Sequence, residues 1–123
     1  MDEEKLYDLI DVYRDPPNFG KLEKFDLEEE GYSPSCGDRF KLYLCINDGI
    51  IRKASFDGNG CVISTVSASK LCSFVIGKTP SEVKQLTFSD IKKILGIDNI
   101  SASRVKCATV ALEAIKSAVN RAI

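Results

Sequence analysis

A tight hairpin near the middle of the chain constrains the fold more than any other feature of the sequence. Between residues 39 and 46, large apolar side chains alternate with others, a period of two that is typical of a half-buried strand. Asn47-Asp48-Gly49 then predicts a tight turn, because Asp-Gly tolerates the positive φ that two-residue turns require. Residues 50–56 form the return strand. Since the strands are antiparallel, the residues just before the first lie at the same end of the sheet as those just after the second.

The segment before the hairpin predicts one helix and one weaker strand. Residues 4–14 carry apolar side chains at helical spacing. Pro16-Pro17 ends this helix, because proline lacks an N–H group and disfavours helix in the residue before it. Residues 24–30 predict an irregular or edge strand.

The segment after the hairpin predicts helices. One helix follows Cys61 and stops at Gly77. Its apolar stripe consists of Ala68, Leu71, Cys72, Val75 and Ile76. Thr79 and Thr87 each open a capping pattern for a short helix, and Gly96 ends the second of these.

The last predicted helix begins near Ser101–Ser103 and places Cys107 in roughly its first turn. Its apolar face consists of Val105, Ala108, Leu112, Ile115 and Val119. Together the elements predict a single α+β domain over residues 1–123. We expect an N-terminal helix, a small antiparallel meander, and C-terminal helices packed on one face of the sheet.

Composition and charge exclude several classes of function. The chain has 123 residues and a formal net charge of −1, whereas nucleic-acid-binding domains usually carry a basic excess. No apolar run approaches the ~20 residues of a membrane-spanning helix, and the acidic start lacks an apolar signal segment. We therefore expect a cytoplasmic protein that binds neither nucleic acid nor membranes. The chain contains no histidine, which excludes Ser-His-Asp and Cys-His catalysis and every histidine metal site.

Three of the five cysteines occupy contexts that favour the metal-binding thiolate. Cys36 lies one glycine from the carboxylate of Asp38, and Cys61 follows a glycine-rich turn and opens a helix. Cys107 lies between Lys106 and a long amphipathic run. A helix start stabilises a thiolate through its unpaired N–H groups and its dipole. Together with Asp38, these thiols would make a four-ligand site for a soft metal or an iron–sulfur cluster. The competing interpretation is that they are small buried apolar residues.

Cys45 and Cys72 are assigned to structure. Cys72 lies on the apolar stripe about three turns past Cys61, or ~16 Å at about 1.5 Å per residue, which is too far to share a metal. Cys45 is in the middle of a strand, well past the Cys36 end. No Cys-x-x-Cys pair occurs, which argues against zinc-finger and thioredoxin-type motifs.

These motifs resemble, in order and spacing, the NifU/IscU/SufU family of iron–sulfur cluster assembly proteins over nearly the whole chain. The resemblance begins in residues 13–20, where a Pro-x-Asn-x-Gly loop follows the first helix. It continues through Cys36-Gly37-Asp38, Gly58-Asn59-Gly60-Cys61, the serine-rich residues 63–69, and Lys106-Cys107-Ala108-Thr109. Any one of these motifs is common by chance, whereas all of them in this order are specific.

The resemblance implies a scaffold and not an enzyme. Such a protein receives sulfur from a cysteine desulfurase and iron from a donor, builds a [2Fe–2S]-type cluster, and hands it to apo-acceptor proteins. The ligands implied are Cys36, Asp38, Cys61 and Cys107. Gly37, Gly60 and Lys106 would support the site. Asp38 would be a labile ligand, because a hard carboxylate holds a cluster less tightly than a fourth thiolate.

Two alternatives stay open. The same residues would suit Zn²⁺ in a tetrahedral Cys₃Asp site, with Cys107 accepting sulfur from the desulfurase. A metal-free interaction module is the third interpretation. Lys106 matches the SufU-type pattern, where many IscU-type proteins have histidine, yet the SufU-type insertion between Cys61 and Cys107 is absent. The IscU-type Leu-Pro-Pro-Val-Lys motif is absent too, since residues 100–104 read Ile-Ser-Ala-Ser-Arg, which argues against dedicated chaperone-driven transfer.

Overall fold

A computed structural model of the chain describes residues 10–33, 37–96 and 102–122, with the side chains of residues 33, 102–104, 107 and 122 outside that description. Its elements are β1 (Leu27–Ser33), β2 (Asp38–Asn47), β3 (Ile50–Asn59), α1 (Val62–Val75), α2 (Pro80–Lys84), α3 (Phe88–Leu95) and α4 (Ala102–Ala122). A sheet followed by helices confirms the predicted α+β class. Residues 10–14 are helical, and the rest of the predicted first helix lies outside the described residues. Within the described part of the chain, no helix has the length and apolarity to cross a membrane.

The three strands form one antiparallel sheet in the order β1-β2-β3. The connection between β2 and β3 is the turn predicted from the sequence, with φ of 55° at Asp48 and 73° at Gly49. Two positive φ values in succession match the right-handed twist of the flanking strands. Arg39 pairs with Asn59, so the start of β2 lies beside the end of β3.

Three strand boundaries lie three residues beyond their predicted positions. β1 covers Leu27–Ser33 and not residues 24–30, and Phe25, just before it, packs its ring against Tyr43, with 5.1 Å between the centroids. β3 continues to Asn59, beyond the predicted end at residue 56. Gly58 therefore lies in the strand and not in a turn. A Cβ at this position would lie 2.1 Å from the carbonyl oxygen of Arg39, so glycine allows the two strands to stay paired.

One face of the sheet packs against α1 and α4 and forms the core. Phe40, Leu42, Leu44 and Phe56 point inward from alternate strand positions and are buried. Burial of each such side chain contributes about 1.5–3 kcal/mol. The predicted apolar face of α4 is confirmed. Its buried members are Ala108, Leu112, Ile115 and Val119, with Val105 half-buried.

Helix α1 is buried around most of its circumference, whereas the sequence predicted one apolar stripe. The buried polar side chains are Ser64, Thr65, Ser67 and Ser69. The Ser69 hydroxyl donates to the Pro17 carbonyl at 2.7 Å, which fastens the preceding loop to the helix. Ile76 was predicted on the stripe and is instead the exposed C-cap. The helix ends there because the next residue, Gly77, donates its N–H to the carbonyl of Ile51 in β3 at 2.8 Å.

The two short helices begin where the sequence predicts, and the second also ends there. The hydroxyl of Thr79 caps α2 by accepting the N–H of Glu82 at 3.2 Å. At the start of α3, the N–H of Thr87 donates to the carboxylate of Asp90 at 2.8 Å. Gly96 ends α3 in the left-handed conformation with φ of 72°.

Candidate metal and cluster site

Asp38 and Cys61 meet at one end of the sheet. Asp38 is the first residue of β2, and Cys61 follows the end of β3. The backbone N–H of Cys61 donates to Oδ1 of Asp38 at 3.1 Å. The antiparallel register makes this contact between residues that are distant in sequence.

Cys61 is the N-cap of α1, as the sequence predicts. Its backbone is extended, and its Sγ accepts the N–H of Ser64 at 3.5 Å. The Ser64 hydroxyl lies 3.4 Å from the same Sγ. The same hydroxyl lies closer, at 3.1 Å, to the Cys61 carbonyl, so its one hydrogen serves either acceptor. The thiol therefore lies at the positive end of a helix dipole with the Ser64 N–H directed at it, an environment that favours the thiolate. Ser64 was missed as a site residue, and its position three residues after the N-cap was the signal for it.

The carboxylate of Asp38 is only 2% exposed, and its second oxygen has no partner among the described residues. Oδ2 is buried without a hydrogen bond in that part of the chain, whereas Oδ1 is bound by Cys61. Buried charged oxygens are normally paired, hydrogen-bonded or bound to a metal. A carboxylate oxygen next to a cysteine at a helix start fits the ligand chemistry of Zn²⁺ and of iron.

Two glycines shape this end of the sheet. Gly60 precedes Cys61, and a Cβ there would lie 2.4 Å from the hydroxyl of Ser64 and 2.5 Å from the ring of Phe40. The absence of a side chain therefore lets Cys61 reach the helix cap. Gly37 precedes Asp38 and has φ of 71°, a conformation that glycine adopts without strain.

The other two predicted ligands are placed less completely. Cys36 lies outside the described residues, and so does the side chain of Cys107. In residues 10–33, 37–96 and 102–122, no three cysteine or carboxylate side chains converge on a metal-sized site. The convergence of all four ligands therefore stays a prediction.

The expected position of Cys107 in the first turn of the last helix is wrong. The described part of α4 begins at Ala102, which puts Cys107 in the second turn, and any earlier start would put it deeper. The unsatisfied N–H groups belong to the first four residues of a helix. The unpaired N–H groups of a helix start therefore lie beside Cys61 and not beside Cys107. Lys106 is exposed on α4.

The remaining two cysteines occupy structural positions, as predicted. Cys72 is fully buried in α1, and burial raises the pKa of its thiol to about 12, so it stays protonated. Cys45 is half-buried in β2, where its Sγ donates to the carbonyl of Lys24 at 2.9 Å.

The loop over residues 15–20 packs along α1 and reaches the end of β3 next to Cys61. Asn18 has φ of 66° and donates its side-chain amide to the hydroxyl of Ser73 in α1 at 2.7 Å. Phe19 bridges to Phe56 of β3, with ring centroids 5.3 Å apart. A cavity of about 570 Å³ lies between this loop and the end of β3. Its lining residues include Tyr13, Arg14, Phe19, Asn59, Gly60 and Thr65.

Known proteins share this fold and much of this sequence. Residues 5–121 match the family model described as NifU-like N terminal domain. The chain is 34% identical over 117 residues to the iron-sulfur cluster assembly scaffold protein IscU of Thermotoga maritima, covering 83% of this chain and 82% of that protein. It is 30% identical over 130 residues to the zinc-dependent sulfurtransferase SufU of Bacillus subtilis, covering 92% and 87% respectively.

A solved structure agrees with these sequence relatives. It is a crystal structure of a candidate iron-sulfur cluster assembly scaffold for the SUF system from Fervidobacterium islandicum AW-1. Its TM-score is 0.75 at 26% identity, and the match covers 90% of this chain and 93% of that one. The chain therefore belongs to the NifU-like N-terminal domain family.

Proposed function

We propose that this chain is a single-domain iron–sulfur cluster assembly scaffold. On this proposal it receives sulfur from a cysteine desulfurase and iron from a donor, and it assembles a cluster of the [2Fe–2S] type. It then hands the cluster to apo-acceptor proteins. The relatives named as scaffolds support this, and the observation that carries it is the buried oxygen of Asp38 beside Cys61.

The proposed ligands divide the chemistry between them. Cys36, Cys61 and Cys107 would supply thiolates, which bind iron strongly. The Asp38 carboxylate is a harder ligand, so its bond to iron is the one that exchanges first. Because Oδ1 accepts the backbone N–H of Cys61, Oδ2 is the oxygen that would bind the metal. On this proposal the protein carries the cluster and does not catalyse a reaction. Its ligand thiols would stay reduced in a compartment such as the cytoplasm.

A second candidate function is zinc-dependent sulfur acceptance. One observation favours it: a carboxylate and a capping cysteine fit tetrahedral zinc as well as iron, and one relative bears the name of a zinc-dependent sulfurtransferase. In that reaction the thiolate of Cys107 would attack the terminal sulfur of the desulfurase persulfide. A new S–S bond would form on Cys107, and the desulfurase cysteine would leave as a thiolate.

Mixing the protein with a cysteine desulfurase and L-cysteine, without iron and then with Fe²⁺ under anaerobic conditions, separates the two functions. A scaffold develops charge-transfer absorption only when iron is present. A sulfur acceptor speeds desulfurase turnover without iron, and Cys107→Ser removes that effect. Strong stimulation without iron, together with no cluster under any anaerobic condition, would replace the scaffold proposal with sulfur transfer.

A further inference from the structure

A groove of about 650 Å³ lies at the opposite end of the sheet, beside the β2–β3 turn. We call it the hairpin groove. It lies between residues 21–26 and the paired ends of β2 and β3. Its charged lining consists of Lys21, Glu23, Lys24, Asp26, Arg52 and Lys53.

Residues 21–26 are held in place by contacts with β2. The carbonyl of Lys24 accepts from Cys45 Sγ at 2.9 Å, and the carboxylate of Asp26 accepts the N–H of Ile46 at 2.6 Å. The N–H of Asp26 also donates to the carbonyl of Leu44 at 2.8 Å. This wall of the groove is therefore fixed to the end of β2.

A break in the strand register builds the other wall. Cys45 pairs with Lys53 and Ile46 pairs with Ile51, which leaves Arg52 as the extra residue of a bulge. Ile51 and Ala54 are buried, whereas Arg52 and Lys53 between them are both exposed. The bulge thus presents two neighbouring cations to solvent, where regular alternation would turn one of them inward.

The groove carries an excess of positive charge. The salt bridges found among the described residues join other cations, namely Arg39, Lys41 and Arg121, to glutamates of β1. The four groove cations therefore have no ion-pair partner in that part of the chain. They face only two carboxylates, and one of these, Asp26, is already bound to a backbone N–H. This excess stands out in a chain whose formal net charge is −1.

We propose that the hairpin groove docks an acidic segment of a partner protein. A positive groove attracts a negative segment and orients it. A short acidic protein segment fits better than nucleic acid, because it can stay within the positive groove, whereas a long phosphate backbone would extend over the rest of the chain, which is net negative. The residues from Asp38 to Cys45 span roughly 24 Å of extended strand. A partner in the groove therefore leaves the Asp38–Cys61 end open, so it can stay bound while the site is loaded.

Fluorescence anisotropy with a labelled deca-glutamate peptide at about 0.1 M salt, where charges more than about 10 Å apart are screened, tests the proposal. The variant Arg52→Glu/Lys53→Glu reverses one wall, and Lys21→Glu/Lys24→Glu reverses the other. We expect each to weaken binding by about tenfold or more, because opposing charges become like charges. The matched control is Lys84→Glu/Lys93→Glu, which makes the same charge change at two exposed helical lysines. The control should change binding by no more than about twofold, since these charges lie outside the groove and are screened.

Thermal melts followed by circular dichroism show which variants are folded, and a folded reversal of either wall suffices for the comparison. Equal losses in the groove variants and the control would overturn the proposal, and so would no peptide binding to the wild type. A deca-thymidine oligonucleotide that binds more tightly than the peptide would assign the groove to nucleic acid instead. The assay uses no metal, so its failure leaves the scaffold proposal standing.

Discussion

The buried carboxylate of Asp38 accepts the backbone N–H of Cys61 at 3.1 Å through one oxygen, while its other oxygen has no partner among the described residues. Oδ1 thus fixes the residue that caps α1, and on our proposal Oδ2 binds the metal. The contact depends on the β2–β3 register, so the candidate site is built by the sheet and not by a local motif.

Two substitutions of Asp38 test its proposed role as the exchangeable ligand. Asp38→Asn keeps an acceptor for the Cys61 N–H but is a poor ligand, whereas Asp38→Ala loses both. We expect both variants to release a cluster more slowly than wild type, because the exchangeable oxygen ligand is gone. The measurement is the rate at which anaerobic apo-ferredoxin gains its cluster. Faster transfer from either variant would rule out a labilising role for Asp38.

Cys61→Ser tests the ligand role without removing the helix cap. Serine is a preferred N-cap, so the free energy of unfolding should change little, whereas Cys61→Ala should cost about 1 kcal/mol. Both should lose Zn²⁺ or cluster binding, because the thiolate is gone. Urea unfolding and metal analysis give the two readouts.

The controls for that experiment are Cys45→Ser and Cys72→Ser, which should keep the metal. Neither residue belongs to the proposed ligand set. If Cys72→Ser lost the metal as completely as Cys61→Ser, the ligand assignment would be wrong.

Gly60→Ala should destabilise the protein and weaken metal binding together. Its Cβ would lie within 2.5 Å of both the Ser64 hydroxyl and the Phe40 ring, so the backbone that carries Cys61 must move. Overpacking of this kind costs about 1–3 kcal/mol. Gly96→Asn is the control, since position 96 is open and left-handed, and asparagine tolerates that conformation. Metal affinity unchanged in a destabilised Gly60→Ala would contradict the account.

Cys72→Ala should reduce the loss of stability at alkaline pH. Burial raises the pKa of the Cys72 thiol to about 12 from its ordinary value of 9.0. Above pH 9.0 the unfolded state therefore binds fewer protons than the folded state. Because of this group, the free energy of unfolding falls by about 1.4 kcal/mol for each further pH unit. Urea unfolding in reducing buffer at about pH 8.5 and about pH 10.5 should show a drop roughly 2 kcal/mol smaller in the variant. Equal drops would mean that Cys72 ionises in the folded protein.

Local signals made most of the fold predictable. The Asp48-Gly49 turn and the caps at Thr79 and Thr87 each depend on neighbouring residues, and all are confirmed. The alternation in β2 holds through Leu42 and fails at Tyr43, which is buried against Phe25 although the sequence predicts it on the half-exposed face. The hairpin also predicted which strand ends would meet, and Asp38 and Cys61 do meet.

Features that depend on tertiary packing were missed. The continuation of β3 through Gly58 requires a close approach to Arg39 that no local pattern reveals. Ser67 and Ser69 are buried because other elements enclose α1. The sequence does not reveal this, since serine usually lies on the surface of a protein. The start of α4 at Ala102 agrees with the predicted Ser101–Ser103, and the first-turn position of Cys107 was wrong because the sixth residue of a helix lies beyond a turn of about 3.6 residues.

The central claim is tested most directly by reconstituting the protein with iron, cysteine and a desulfurase without oxygen, then measuring bound iron and sulfide and the activation of apo-ferredoxin. We expect wild type and Cys72→Ser to bind iron and sulfide in equal amounts and to activate the acceptor. Cys61→Ser, with its helix cap intact, should do neither. A wild-type protein that holds zinc alone and activates no acceptor, or a Cys61→Ser variant that assembles the cluster normally, would contradict the account.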